Sequence, residues 1–268
     1  MKNNLRFLFV VLVISQMLMF PAKLFSQNGF YLQPFFMYQY TNLANNKDHY
    51  NPKFDFVSTY KPAFGLKAIY NFTNAVGFET GLKYSYQGQK YSGFVDIDGN
   101  TGDSNVSYNS ELKLNYIQVP LLLTFNSLVS NIDDEKDALY MTIAMGVQLD
   151  FLQNASMSIS PDIDWTKYPN AQSQFKNLFN SVNISFAGNV SLNLQLNHGW
   201  QINAGIFGSK TLDDVENKDF KFDKTQYPLE YQFPVTVKKE AVTTEVRYKA
   251  MNVVYGLMVG ISYRIYHN

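Results

Sequence analysis

The chain has 268 residues, 22 Lys+Arg against 22 Asp+Glu, no cysteine, and 16% aromatics drawn almost wholly from 19 Tyr and 22 Phe. A balanced charge gives no basic excess for nucleic acid, and the missing cysteine removes disulfides, thiolate metal sites, a cysteine nucleophile and a lipidated cysteine. A mean hydropathy of −0.20 excludes a bundle of membrane helices but not a β-barrel, in which only alternate strand residues meet lipid.

Residues 1–26 form a separate object. Lys2 and Arg6 supply a positive start, Phe7 to Phe20 is apolar but for Ser15-Gln16, and Pro21-Ala22-Lys23 leads to the small Ser26. This pattern predicts a secretory signal peptide cut before Gln27, leaving 27–268 as one barrel domain. The apolar run is shorter than the roughly 20 residues a spanning helix needs, which weighs against a membrane anchor.

Eight segments of period-two alternation follow, each predicting a strand whose two faces see different surroundings. The first is Phe30 to Tyr40, with Pro34 on its apolar face at a place suited to a bulge or strand start. Ala63 to Phe72 and Val76 to Gln87 come next, the latter alternating Phe78, Leu82 and Tyr84 with Gly77, Glu79, Gly81 and Lys83. In Leu112 to Phe125 the apolar parity slips near Tyr116-Ile117, which predicts a β-bulge in that strand. Leu139 to Phe151 carries apolar residues at every odd position.

The sixth segment, Val182 to Leu196, is the most regular. Its even positions are apolar, with Gly188 the weakest, and its odd positions are Asn, Ser, Gln or Ala. A typical soluble strand has only about five or six residues. Trp200 to Gly208 and Asn252 to Tyr266 complete the set, the last with Val253, Tyr255, Leu257, Val259, Ile261, Tyr263 and Ile265 on one face.

The links sort the architecture. Only Thr73-Asn74-Ala75 and Asn197-His198-Gly199 join segments two to three and six to seven, and the polar stretch 126–138 joins four to five. The stretches 41–62, 88–111, 152–181 and 209–251 are long. Long and short links thus alternate, as in an up-and-down outer-membrane barrel with short periplasmic turns and long external loops. A soluble sandwich has no reason to follow that rule. The predicted fold is all-β, an eight-stranded antiparallel up-and-down transmembrane β-barrel, apolar outside with small polar residues filling the lumen.

The segments Gly81-Leu82-Lys83-Tyr84-Ser85-Tyr86-Gln87-Gly88-Gln89-Lys90 and Leu114-Asn115-Tyr116-Ile117-Gln118-Val119-Pro120-Leu121-Leu122-Leu123 resemble the PorT-like outer-membrane β-barrel family. The final strand, Gly256 to Arg264, is similar to the glycine-rich last strand of that family, though Ile265 stands where an aromatic often follows the Arg. The resemblance covers essentially the whole mature chain. It implies a bacterial outer-membrane barrel with lipid and the barrel-assembly machinery as partners, and a founding member implicated in protein secretion and gliding.

Five inward charges, Lys67, Glu79, Lys83, Asp150 and Arg264, are expected to pair across a lumen that eight strands leave just wide enough to fill with side chains. An open porin is not expected. His49, His198 and His267 lack metal-ligand spacing. Asp96-Ile97-Asp98-Gly99-Asn100 fails the calcium-loop pattern, with Thr101 at its sixth position and Ser107 at its twelfth. No cofactor is expected. Trp165, Tyr168, Tyr227, Tyr231 and Phe233 lie in the two longest links and are the expected partner surface; the stretch 209–251 also alternates enough to rise as a hairpin. The expected role is non-enzymatic, structural or accessory to an envelope assembly such as secretion. The alternatives are a surface-binding or adhesion module acting through its loops, and a lipid-modifying enzyme using His49 with Ser58.

Overall fold

The computed structural model describes residues 29–44, 54–73, 75–96, 105–131, 138–160, 175–196, 199–217 and 249–266. Eight strands close on themselves in sequence order: β1 (Phe30–Ala44), β2 (Phe54–Asn71), β3 (Val76–Asp96), β4 (Asn105–Asn131), β5 (Ala138–Ser160), β6 (Val182–Gln195), β7 (Trp200–Thr211) and β8 (Met251–Tyr266). Every neighbouring pair is antiparallel, and β1 pairs with β8.

The register gives the stagger. A circuit across paired residues runs Phe30, Tyr70, Phe78, Leu123, Met145, Gly188, Gly208 and Tyr255, and returns to β1 at Tyr40, ten residues above its start. For eight strands a shear of that size tilts the strands by roughly 40°. At that tilt the 14 residues of β6 rise roughly 35 Å, more than the apolar band of about 25 Å.

The faces divide as the alternation predicts. Phe36, Phe64, Leu82, Phe186, Ile206 and Leu257 are exposed on the outside, and Gln33, Lys67, Glu79, Gln148, Asn189 and Asn203 are buried inside. An outer wall of exposed Leu, Ile, Val and Phe fits hydrocarbon, since a barrel in water would need the opposite sorting. Tyr38 stacks on Tyr60 with ring centroids 5.9 Å apart, Tyr40 meets Tyr60 edge-on at 5.7 Å, and Phe64 stacks on Tyr84 at 5.8 Å. These rings form an aromatic girdle toward the upper margin of the apolar belt, on the side away from the short turns.

Three strand prolines sit where one ladder lapses, because proline has no N–H to give. Gln33 and Pro34 pair with β2 but take no β8 partner. Pro62 pairs with Tyr38 while the β2–β3 ladder shifts between Ser58 and Ala63. Pro120 pairs with Gln148 of β5 and has no β3 partner. Pro34 is therefore inside a strand, neither at its start nor at an inserted residue.

Three further expectations are corrected. The bulge at Tyr116 does not lie in β4, whose even positions stay buried from Ser110 through Thr124. Asn115 pairs with Asn154 and Tyr116 with Leu152, so the extra residue is Gln153 of β5. The apolar parity changes in β4 because the interior changes: Leu112, Leu114 and Tyr116 point into an apolar upper lumen, Gln118 into a polar band beneath it, and Thr124 into the polar lower end. A lumen filled only with small polar residues is likewise not what is found. The long links 41–62 and 88–111 are also largely strand, and β5 takes the first nine residues of 152–181. β2 starts at Phe54, β3 reaches Asp96, β4 starts at Asn105 and β5 reaches Ser160. β4 has 27 residues against 12 for β7, so one wall of the barrel stands far above the other.

On the outer side of this tall wall, above the girdle, Lys61 is ion-paired with Glu111, and Lys113 lies 3.9 Å from the second Glu111 oxygen. Burial pushes the Glu111 carboxyl up, but the hydrogen bond from Lys61 and the charges of Lys61, Lys113 and Lys90 outweigh it and hold the group below its ordinary value. A depressed carboxyl contributes stability above its unfolded-state value and loses it as pH falls through the folded one. Lys61→Ala should therefore cost less than about 1 kcal/mol at neutral pH, in a half-exposed pair screened by solvent. Urea titration of the folded barrel should show that deficit vanish in acid.

Candidate functional site

The barrel interior is layered. At its middle, Phe35, Met37, Ala63, Leu122, Ala144, Ala187, Phe207 and Met258 form one buried apolar cluster. Above it lies a band of Gln39, Ser85, Gln118, Gln148, Asp150 and Ser185. Higher still, Tyr91, Leu112, Leu114, Leu152, Ala155 and Met157 make an apolar upper interior. A short 3-10 helix, Phe175–Leu178, packs against β5 with Phe175 and Leu178 buried. The segment after it is tied to the strand ends: Phe179 bridges Glu216, Asn180 Nδ2 donates to the Asp214 carbonyl at 2.6 Å, and Asp214 Oδ1 accepts from the Ala250 N–H at 3.1 Å.

Three contacts cross the lumen between strands far apart in barrel order. Lys83 of β3 places its ammonium 3.8 Å from the ring centroid of Phe207 in β7. Asn252 of β8 donates through Nδ2 to the Tyr116 hydroxyl of β4 at 3.1 Å. Asn189 of β6 donates to Glu79 of β3 at 3.3 Å. Strands β3 and β7, and β4 and β8, are diametrically opposite in an eight-stranded barrel, so contacts of this length leave no continuous channel past them.

The five inward charges do not make one network. Lys67 and Glu79 form a buried ion pair at 2.8 Å. Lys67 also lies 5.3 Å from the Phe35 ring centroid. Lys83 rests on Phe207 and makes no hydrogen bond among the described residues, so a ring face and not a carboxylate holds its amine. Asp150 sits in a neutral cradle: Gln118 and Gln148 donate to Oδ1 at 2.6 and 2.7 Å, and Ser185 donates to Oδ2. Arg264 is at the other end, with Nε donating to the Tyr31 hydroxyl at 2.7 Å and its guanidinium 5.1 Å from that ring centroid.

Below the apolar cluster the lumen opens into a vestibule of about 490 Å³. It lies at the end of the short turns and the chain termini, with Gly29, Thr73 and Ala75 at its margin and Lys67 and Glu79 in its ceiling. Its wall is a hydrogen-bonded chain across four strand-to-strand steps. Asn126 donates to Asn71 at 3.2 Å, Thr142 to Asn126 at 2.6 Å, Asn193 to Thr142 at 2.7 Å and Asn203 to Asn193 at 2.5 Å. Sequence reasoning missed this cavity. Its signal was present in the polar face of Ser191, Asn193, Gln201 and Asn203, but the same pattern fits a lumen packed solid.

Trp165, Tyr168, Tyr227, Tyr231 and Phe233 lie outside the described residues, as do His49, the turn at 97–100 and residues 218–248 of the hairpin expected within 209–251. Ser58, the other half of the candidate enzyme pair, donates to the Tyr40 hydroxyl at 2.5 Å. Among the described residues no three His, Asp or Glu side chains gather at metal-ligand distance.

No family model and no curated protein matches the chain. The solved structures it is similar to include the following three proteins. Neisserial surface protein A is 9% identical with a TM-score of 0.40, covering 88% of this chain and 97% of its own. The outer membrane protein OprG from Pseudomonas aeruginosa is 13% identical with a TM-score of 0.41, covering 91% and 99%. Ail, the attachment invasion locus protein of Yersinia pestis, solved with the heparin analogue sucrose octasulfate, is 10% identical with a TM-score of 0.32, covering 89% and 99%. At these identities and scores no residue of theirs maps onto a residue here.

Proposed function

We propose that this chain is a bacterial outer-membrane barrel, exported by its leader, that conducts nothing and acts without catalysis as a structural or accessory component of an envelope assembly. The observation that carries it is the lumen spanned at Lys83–Phe207 and Tyr116–Asn252, inside a wall whose outer belt is apolar. A closed barrel of this kind contributes through its surfaces and not through flow. The resemblance to the PorT-like family favours a secretion-related assembly. The tall wall of β3, β4 and β5 favours a second reading, a surface-binding module, because its strand ends stand well clear of the apolar belt.

The refolded protein in a planar bilayer should give no discrete single-channel steps. Stable channels would overturn the closed-barrel reading. Crosslinking in intact cells, followed by purification from the outer membrane and mass spectrometry, should return one reproducible set of envelope proteins. Recovery of the barrel alone would remove the accessory role and leave the outer loops as the working surface.

A further inference from the structure

We propose that the vestibule is a binding site for a small carboxylate-bearing molecule rich in amide and hydroxyl groups. The inference deepens the closed-barrel reading and rests on it, since a chamber with a sealed ceiling retains a solute that an open pore would pass. Its volume of about 490 Å³ falls within the range of small-molecule sites, about 300–1,000 Å³.

The wall is already organised. The chain Asn71, Asn126, Thr142, Asn193 and Asn203 fixes each side-chain amide by its neighbour. An asparagine amide has two N–H donors and a carbonyl acceptor, so a group used on one side keeps capacity on the other. Such a surface reads hydroxyls and amides at little ordering cost, because its rotamers are set before the ligand arrives.

The charge pattern chooses among polar ligands. Lys67 and Glu79 in the ceiling neutralise each other at 2.8 Å. Arg264 has no carboxylate partner among the described residues, and its Nε is the only atom given to Tyr31. Arg264 lines the cavity, and its guanidinium keeps two terminal nitrogens in a planar fork, the geometry that grips a carboxylate through two parallel hydrogen bonds. Tyr140 adds a half-buried ring to the same lining, a flat apolar surface for the face of a sugar. One unopposed guanidinium, an amide wall and a ring describe an acidic amino sugar or its like better than a neutral sugar, a cation or an apolar ligand.

A matched pair of probes isolates the carboxylate. N-acetylmuramic acid carries the acetamido sugar of N-acetylglucosamine plus a lactyl carboxylate. Titrated calorimetrically into the full mature chain refolded in detergent micelles, the acid should bind about tenfold more tightly than the neutral sugar. Arg264→Gln should abolish that preference, Arg264→Lys should keep part of it, and Asn193→Ala should weaken both probes. Lys113→Gln, on the outer wall, should change neither. Equal binding of the two probes, or a preference that survives Arg264→Gln, would overturn the proposal. So would absence of binding up to about 10 mM in a barrel that is folded and non-conducting, an outcome that leaves the closed-barrel reading intact. Single-channel conductance would instead remove the closed-barrel reading and this one with it.

Discussion

Gly81→Val should yield no folded barrel. The sequence carries the triplet Gly-Leu-Lys twice, at 65–67 and 81–83, and the structure lays the two copies against each other. Gly65 pairs with Lys83, Leu66 with Leu82 and Lys67 with Gly81, a local two-fold arrangement across the β2–β3 ladder. Each glycine is where the facing backbone comes closest. A Cβ on Gly81 would lie 2.3 Å from the Leu66 carbonyl oxygen and 2.9 Å from the Lys67 Cα. One on Gly65 would lie 2.2 Å from the Leu82 oxygen and 2.9 Å from the Lys83 Cα. These are backbone obstacles, so no rotamer relieves them, and moving them apart opens the ladder that closes the barrel. Glycine in a strand commonly marks such a tight bend or close approach.

The expected cost exceeds about 4–5 kcal/mol, the range reached only when a packed backbone must move, and it approaches the whole stability of an ordinary domain. Refolding yield, read as the mobility difference between unheated and boiled samples on electrophoresis, should fall to background for Gly81→Val and Gly65→Val. Gly208→Ala is the control. Its new Cβ meets nothing nearer than Tyr255 Cδ1 at 3.6 Å, ordinary contact, and it should refold as the parent does. A Gly81→Val chain refolding at the parent yield would show that the lumen does not need this close approach.

The strand count, the face of each strand and the order of long and short links were legible because lipid imposes one rule over the whole belt. Nearly every outward residue there is apolar, Thr80 of β3 being an exception, so Val190, Leu192 and Leu257 announce themselves without tertiary knowledge. Above the belt that rule lapses. Residues 88–96 and 105–111 continue β3 and β4 although their polarity no longer alternates cleanly, and they read as loop. The bulge at Gln153 was misplaced onto β4 for the same reason. A change in what fills the lumen at Leu114 and Tyr116 has the same sequence appearance as a change in backbone phase.

The candidate site was legible as a set of inward residues and not as a site. Which of them meet depends on height, and height depends on the ten-residue stagger, which only the register fixes. Lys67 and Glu79 fall on adjacent strands at one level; Lys83 and Asp150 do not come within ion-pair distance, although parity alone treats them alike. The vestibule exists because bulky Phe35, Phe207 and Met258 gather at mid-height and short polar side chains lie below, a vertical sorting that a strand-by-strand reading does not contain.

Lys67→Met, the second large effect, separates ceiling from scaffold. Lys67 and Glu79 are 5% and 3% exposed, and among the described residues Glu79 has only Asn189, at 3.3 Å, besides the lysine. Removing the cation leaves a carboxylate facing Met258 and Phe35 with one long hydrogen bond. Breaking one side of a buried pair typically costs about 3–5 kcal/mol, because the survivor's desolvation is no longer offset. Lys67→Met should therefore move the urea midpoint of the vesicle-inserted barrel by that amount, and Glu79→Leu should do the same through Lys67, softened by its approach to the Phe35 ring. The double variant Lys67→Met/Glu79→Leu should recover most of the loss, since an apolar pair extends the cluster already below Lys83. That recovery is the informative result: it gives a coupling energy of several kcal/mol in a double-mutant cycle and shows that the two charges are needed for each other and not for the barrel. Additive losses in the cycle would mean that each charge has its own role in the vestibule ceiling.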